Sequence, residues 1–356
     1  MKLIHCADLH LDSKMSANLD KEKAKERKVE ILHTFERMVE YAEHNSIFGI
    51  LIAGDMFDRK NVTAATKNAV LYQINNHPNI TFYYLNGNHD NDNFLAGLEV
   101  IPNNLKMFGP TWTKYDLGKV VVSGIDLSSE NTEFAHASLL LDSSKFNIVM
   151  MHGQEGELIN LRALKNKGID YLALGHIHAY KMEQLDARAT YCYPGCLEGR
   201  GFDECGEHGF VVIDVNEENG GYTCEFIPFA KRKLYALSVD ATGCQTTAEM
   251  VAKVTEALEQ AGCDRTALVK IVLTGAIDVE CEKDIDYIFM RFKSQYYFVK
   301  IYDETILKIN VEDYMLDASL KGEYVRMIMQ DSTLSEEDKA IIIRYGLQVI
   351  AGEEVQ

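Results

Sequence analysis

The chain has 356 residues, 47% of them hydrophobic and 25% charged, which reads as a globular protein of about two domains at ~150 residues each. Asp plus Glu outnumber Lys plus Arg by 54 to 36, a formal charge of −18, which argues against a broadly basic nucleic-acid surface and leaves any phosphate-rich ligand to find a local positive field. No run approaches the ~18 apolar residues of a membrane helix, and the polar start Met1-Lys2-Leu3-Ile4-His5-Cys6-Ala7-Asp8 does not read as a signal peptide, so a cytoplasmic location without membrane contact is expected.

Short apolar runs at 2–6, 49–53, 81–85, 146–151 and 171–174 predict buried strands. Ile31, Leu32, Phe35, Met38, Val39 and Ala42 recur at helical spacing, as do Val70, Leu71 and Ile74 ahead of Pro78. From 189 to 228 the pattern is strands alone (189–193, 209–215, 222–228), and the basic link Lys231-Arg232-Lys233 follows. Beyond it the order is strand, helix, strand, helix, strand at 234–240, 248–261, 267–274, 284–294 and 296–303, and the acidic stretch 311–356 predicts two amphipathic helices. The expected division is 1–230, 231–310 and 311–356. The eight cysteines form no Cys-x-x-Cys pair; Cys192, Cys196, Cys205 and Cys224 fit no usual zinc spacing, so free thiols are expected.

Five predicted strands are followed by polar clusters: Asp8-Leu9-His10, Gly54-Asp55, Gly87-Asn88-His89-Asp90, His152-Gly153 and Gly175-His176-Ile177-His178. Each alone reads as an ordinary turn, but in α/β sheets the carboxyl ends of strands converge on one crevice. An extended backbone at Asp8–His10 and at His176–His178 would point the outer side chains to one side. Two carboxylates, one amide and four imidazoles besides His89 exceed one tetrahedral zinc and suit two metals sharing a bridging carboxylate. Two divalent cations, two aspartates and a hydroxide would leave the crevice near +1 within an acidic chain.

These residues and their order resemble the calcineurin-like metallophosphoesterase family over roughly 1–230. The resemblance implies an α/β, four-layer α/β/β/α sandwich with a smaller α+β capping domain and a C-terminal helical tail. It further implies Asp8, His10 and His178 on one metal, Asn88, His152 and His176 on the other, and Asp55 bridging. The stretches Ile4-His5-Cys6-Ala7-Asp8-Leu9-His10-Leu11-Asp12, Gly54-Asp55-Met56-Phe57-Asp58-Arg59 and Tyr193-Pro194-Gly195 look like SbcD-type DNA-repair exonucleases, nearest the YhaO-like branch.

The expected function is therefore hydrolysis of DNA phosphodiester bonds by a hydroxide held between two metals, with His89 protonating the leaving oxygen and Asp90 orienting it. Oxygen and imidazole donors admit Mn²⁺, Fe²⁺, Co²⁺ or Zn²⁺, and the resemblance favours Mn²⁺. Lys14, Arg59, Lys60 and Arg200 are candidate phosphate contacts. Expected partners are DNA and an SbcC-like coiled-coil ATPase docking on the tail, with homodimerisation open. The competing readings are a phosphoesterase acting on nucleotides or phosphoproteins, and a non-catalytic scaffold, against which the full complement of ligands counts.

Overall fold

The computed structural model describes residues 1–15, 19–58, 62–90, 100–278, 281–308 and 311–351. The chain divides into two compact units, Met1–Lys233 and Leu234–Gln356.

In the first unit, two six-stranded sheets face each other. The first runs in the order Tyr222–Pro228, Gly209–Val215, Lys2–Cys6, Gly49–Ala53, Thr81–Leu85, Leu105–Met107. The second runs Thr113–Asp116, Val120–Gly124, Phe146–His152, Tyr171–Gly175, Thr190–Tyr193, Lys181–Gln184. Strand alternation explains the layering. Leu3, Leu51, Tyr83 and Leu85 share a core with Val120, Val122, Ile148 and Met150 of the other sheet. Their neighbours Ile4, Ile50, Ile52, Phe82 and Tyr84 pack with Ile31, Phe35, Met38, Val70 and Ile74, from helices Lys21–His44 and Ala64–Asn76. On the far side, Val149, Met151, Leu172 and Leu174 join Ala135 and Leu164 of the short helices Thr132–Ser138 and Leu161–Leu164. The result is an α/β/β/α sandwich, in which each fully buried Leu, Ile or Phe is worth about 1.5–3 kcal/mol.

The longest helix starts where Asp20 Oδ1 accepts from the amides of Glu22 and Lys23, satisfying two otherwise orphaned donors. Parallel pairing of Lys2–Cys6 with Gly49–Ala53, and of that strand with Thr81–Leu85, brings their carboxyl ends to one edge. Phe146–His152 and Tyr171–Gly175 likewise run parallel in the second sheet.

In the second unit, Leu234–Asp240, Leu268–Thr274 and Phe298–Asp303 form a parallel sheet. Parallel neighbours require crossovers, supplied by helices Thr247–Gln260 and Ile285–Lys293. These helices pack Met250, Val254, Leu258, Ile288 and Phe292 with Val269, Ile271 and Leu273. Among the described residues three helices follow, Val311–Met315, Leu320–Gln330 and Glu336–Ala351, where the sequence pattern predicts two. The first is one turn long, too short to show a period. Val325, Ile343 and Leu347 make a small core of their own, while Leu320, Met327 and Val349 stand exposed. Among the described residues no helix is long and apolar enough to cross a membrane.

Candidate metal centre

The polar clusters meet at the shared strand edge, but not by the extended backbone expected at Asp8–His10 and His176–His178. Asp8, His10, Asp55 and His176 all take left-handed φ values, 52°, 44°, 52° and 103°. The chain turns sharply as soon as each strand ends, and that turn, rather than strand alternation, aims the side chains inward. Such conformations cost about 1–3 kcal/mol each unless surroundings hold them. Here the Asp8 carboxylate accepts from the His176 amide at 2.9 and 3.1 Å, and Asp55 Oδ1 accepts from the His89 amide at 2.8 Å. Backbone hydrogen bonds Asp8 N to Gly54 O (3.1 Å) and His10 N to Asp55 O (3.0 Å) lock the first two loops together.

Glycine serves close approach as much as turning. A Cβ on Gly87 would lie 2.1 Å from Asp55 Oδ1, and one on Gly175 would lie 1.9 Å from Ala53 O. Neither position tolerates a side chain without moving a candidate ligand or its support.

Ligand-type atoms of Asp8, His10 and His178 lie within 4.8 Å of one another, as do those of Asp8, Asp55 and His152, and those of His10, Asp58 and His89. His10 Nε2 stands 3.1 Å from His178 Nε2. Asn88 Oδ1 is 3.0 Å from both His152 Nε2 and His176 Nδ1. The seven residues singled out as ligands in the sequence therefore share one contact network.

Its electrostatics are those of carboxylates and imidazoles competing for protons. Burial pushes Asp8 up to about 6, against the pull of His152 and His178. Burial also opposes ionisation of Asp55, but the hydrogen bond and charge of His152 outweigh it and hold Asp55 low; the same pairing lifts His152 against its burial. Burial drives His10 and His176 toward the neutral form, the form with a free lone pair. Four imidazoles, two carboxylates, one amide oxygen and no thiolate make a donor set for divalent cations of the Mn²⁺ to Zn²⁺ series, so the residues present fit such ions.

His89 lies at the exposed side of the cluster, its side chain 46% accessible, with Nδ1 3.6 Å from Asp58 Oδ1. Asp90 does not face that ring: its carboxylate accepts from the amides of Met56, Phe57 and Gly87 at 3.3, 2.9 and 2.9 Å, tying the loop after Leu85 to the loop after Ala53. The carboxylate beside the His89 ring is Asp58, which also lies 3.3 Å from His10 Nδ1. In the sequence Asp58 is marked only by its spacing, three residues after Asp55. Arg200 is not an open surface cation, since it pairs with Asp58 at 3.3 Å and Glu204 at 2.8 Å. Lys14 is exposed. Arg59 and Lys60 lie outside the described residues. Glu204, which contacts His178 Nδ1 at 2.6 Å, was missed, because nothing in the spacing links it to a residue so far upstream.

Residues 1–180 match the calcineurin-like phosphoesterase family (Metallophos). The chain belongs to that family. Membership makes it a metallophosphoesterase by descent and indicates a hydrolase. Among curated relatives of this calcineurin-like phosphoesterase, the uncharacterized metallophosphoesterase YhaO of Bacillus subtilis is 28% identical over 251 residues, covering 64% of this chain and 60% of the relative. The DNA double-strand break repair protein Mre11 of Aeropyrum pernix is 25% identical over 267 residues, 67% of this chain and 63% of that one. The Mre11 of Sulfolobus acidocaldarius is 23% identical over 351 residues, 91% and 87% of the two chains. The chain thus spans less than two thirds of the first two relatives' length.

Proposed function

We propose that this phosphoesterase is a metal-dependent DNA exonuclease of the SbcD type, hydrolysing phosphodiester bonds in double-strand break repair. The observation that carries the reading is the convergence of Asp8, His10, Asp55, Asn88, His152, His176 and His178 in one contact network, with His89 at its open side. The names of the Mre11 relatives support DNA as substrate.

In this reading Asp8, His10 and His178 would hold one divalent cation and Asn88, His152 and His176 a second, with Asp55 a shared ligand, and Mn²⁺ is the expected ion. The chemistry such cations would supply when bound is acidification of a water and withdrawal of charge from the phosphate oxygens. The protein's own groups do the rest. His89, open to solvent, is placed to give a proton to the leaving oxygen. Asp58, 3.6 Å from His89 Nδ1, holds the direction of that ring. Asp90 keeps the two loops that carry Asp55 and His89 at fixed separation through three amide hydrogen bonds. Residues 231–310 serve as a substrate-guiding cap, and the helices beyond 311 as the docking site for an SbcC-like coiled-coil ATPase. The exposed Leu320, Met327 and Val349 support that docking.

The test is to load the full chain with Mn²⁺, supply end-labelled single-stranded and duplex DNA, and read the product ladder beside hydrolysis of p-nitrophenyl phosphate. Stepwise release of nucleotides is expected. Hydrolysis of the small ester with DNA left intact would overturn the assignment.

A further inference from the structure

We infer that Glu204 is a positioning residue of the metal centre, fixing the tautomer and direction of the His178 ring. The inference rests on the proposed reading of His178 as a ligand. Glu204 Oε1 lies 2.6 Å from His178 Nδ1, in the range of a charge-assisted hydrogen bond. Arg200 Nη2, also a donor, stands 3.3 Å from the same nitrogen, but the carboxylate is nearer by 0.7 Å, so Nδ1 carries the proton and donates it to Glu204. In the neutral ring, the form that can ligate a metal, Nε2 is then left with its lone pair. That is the atom facing His10 Nε2 at 3.1 Å and Asp8 Oδ1 at 4.0 Å. An acceptor behind a ligating imidazole both sets this tautomer and raises ligand basicity.

The carboxylate can serve as a fixed reference because it is itself held from several sides. Its other oxygen, Oε2, accepts from the Arg200 amide at 2.7 Å, and Oε1 also accepts from Arg200 Nη2 at 2.8 Å. The backbone carbonyl of Glu204 is 2.9 Å from His208 Nε2, and His208 Nδ1 is 3.2 Å from Cys196 Sγ. Cys196, His208 and Glu204 are all buried. The Cys196 thiol just past Tyr193-Pro194-Gly195 thus belongs to the floor under Glu204. His152 shows the same arrangement with a weaker acceptor, its Nδ1 lying 2.9 Å from Ala53 O.

The test uses the full chain stripped of metal by chelation. Wild type, Glu204→Ala, Glu204→Gln and His178→Ala are titrated with Mn²⁺ by calorimetry and with Co²⁺ by visible absorption, and the melting of each metal-free protein is recorded. Glu204→Ala is expected to weaken one of two ions by about 10- to 100-fold and to change the Co²⁺ spectrum, as His178→Ala does. Glu204→Gln keeps an acceptor oxygen and falls between wild type and Glu204→Ala. A purely structural role would lower melting without this ordered effect on one ion. Wild-type affinities and spectrum in Glu204→Ala overturn the inference; should that variant not fold, wild-type affinities in Glu204→Gln do so. A wild-type chain that binds neither ion overturns the functional reading first and this inference with it.

Discussion

The Nε2 atoms of His10 and His178 face each other at 3.1 Å although 168 residues separate them. Only one proton can sit between two such nitrogens, and Asp8 completes the triangle. On the proposed reading a divalent cation would satisfy all three groups at once and would bind only the folded chain. Saturating Mn²⁺ is therefore expected to raise the melting temperature; at a concentration 100 times Kd the gain is about 2.7 kcal/mol. His178→Ala should lose part of that increment. Scans with EDTA and with Mn²⁺ check it, and an unchanged melting temperature in wild type would refute the site.

His89 stands apart from the other imidazoles of the centre in being half exposed, with Nδ1 3.6 Å from Asp58. Replacing it with Asn should leave metal content near that of wild type and lower turnover of bis-p-nitrophenyl phosphate by about 10²- to 10⁴-fold. Metal analysis beside steady-state rates separates the two effects. Full activity in His89→Asn would remove the residue from the chemistry.

Much of this centre was legible because chemistry-bearing residues followed apolar runs whose period is unambiguous. The runs 209–215 and 222–228 are strands with those bounds, and the clusters after Cys6, Ala53 and Leu85 meet in space. Other features were illegible for physical reasons. Lys181–Gln184 is a polar, mostly exposed edge strand with no apolar alternation, and Leu105–Met107 has three residues. Val120–Gly124 is buried throughout, and a short continuous apolar run cannot be told from a helical segment by periodicity. The left-handed turns at Asp8, His10 and Asp55 leave no mark in sequence, since tertiary hydrogen bonds rather than glycine hold them. Glu204 and Asp58 act through contacts that only the folded chain creates.

Gly175 offers a sharp test of packing behind the ligands. A methyl there meets Ala53 O at 1.9 Å and His152 Nδ1 at 2.8 Å, where His152 and Ala53 are themselves bonded at 2.9 Å. Gly175→Ala is expected to cost about 1–3 kcal/mol and to weaken metal binding by displacing His152. At Gly109 an added Cβ meets nothing within 4 Å, so Gly109→Ala should stay within about 0.5 kcal/mol of wild type. Urea midpoints and Mn²⁺ titrations of the two variants check the contrast; equal behaviour would refute the packing argument.

The buried cluster around Glu30 predicts acid sensitivity away from the metal centre. Arg232 Nη2 and Lys231 Nζ approach Glu30 Oε1 at 2.6 and 2.8 Å, and Arg27 Nη1 approaches Oε2 at 2.7 Å. Arg27 also reaches Glu198 Oε2 at 3.0 Å, so the cluster ties the longest helix to the segment entering Arg200. Burial resists ionisation of Glu30, but its hydrogen bonds with Arg232, Lys231 and Arg27 outweigh it and bring the group from 4.5 down to about 2. A carboxyl whose folded value lies below its unfolded one adds stability that is complete above the unfolded value and disappears as pH falls through the folded value. The stability advantage of wild type over Glu30→Gln, read from urea midpoints, should hold constant above about pH 5.5 and shrink steadily as the pH is lowered toward 2. An advantage that stays constant across that range would show that Glu30 does not ionise differently in the folded and unfolded chain.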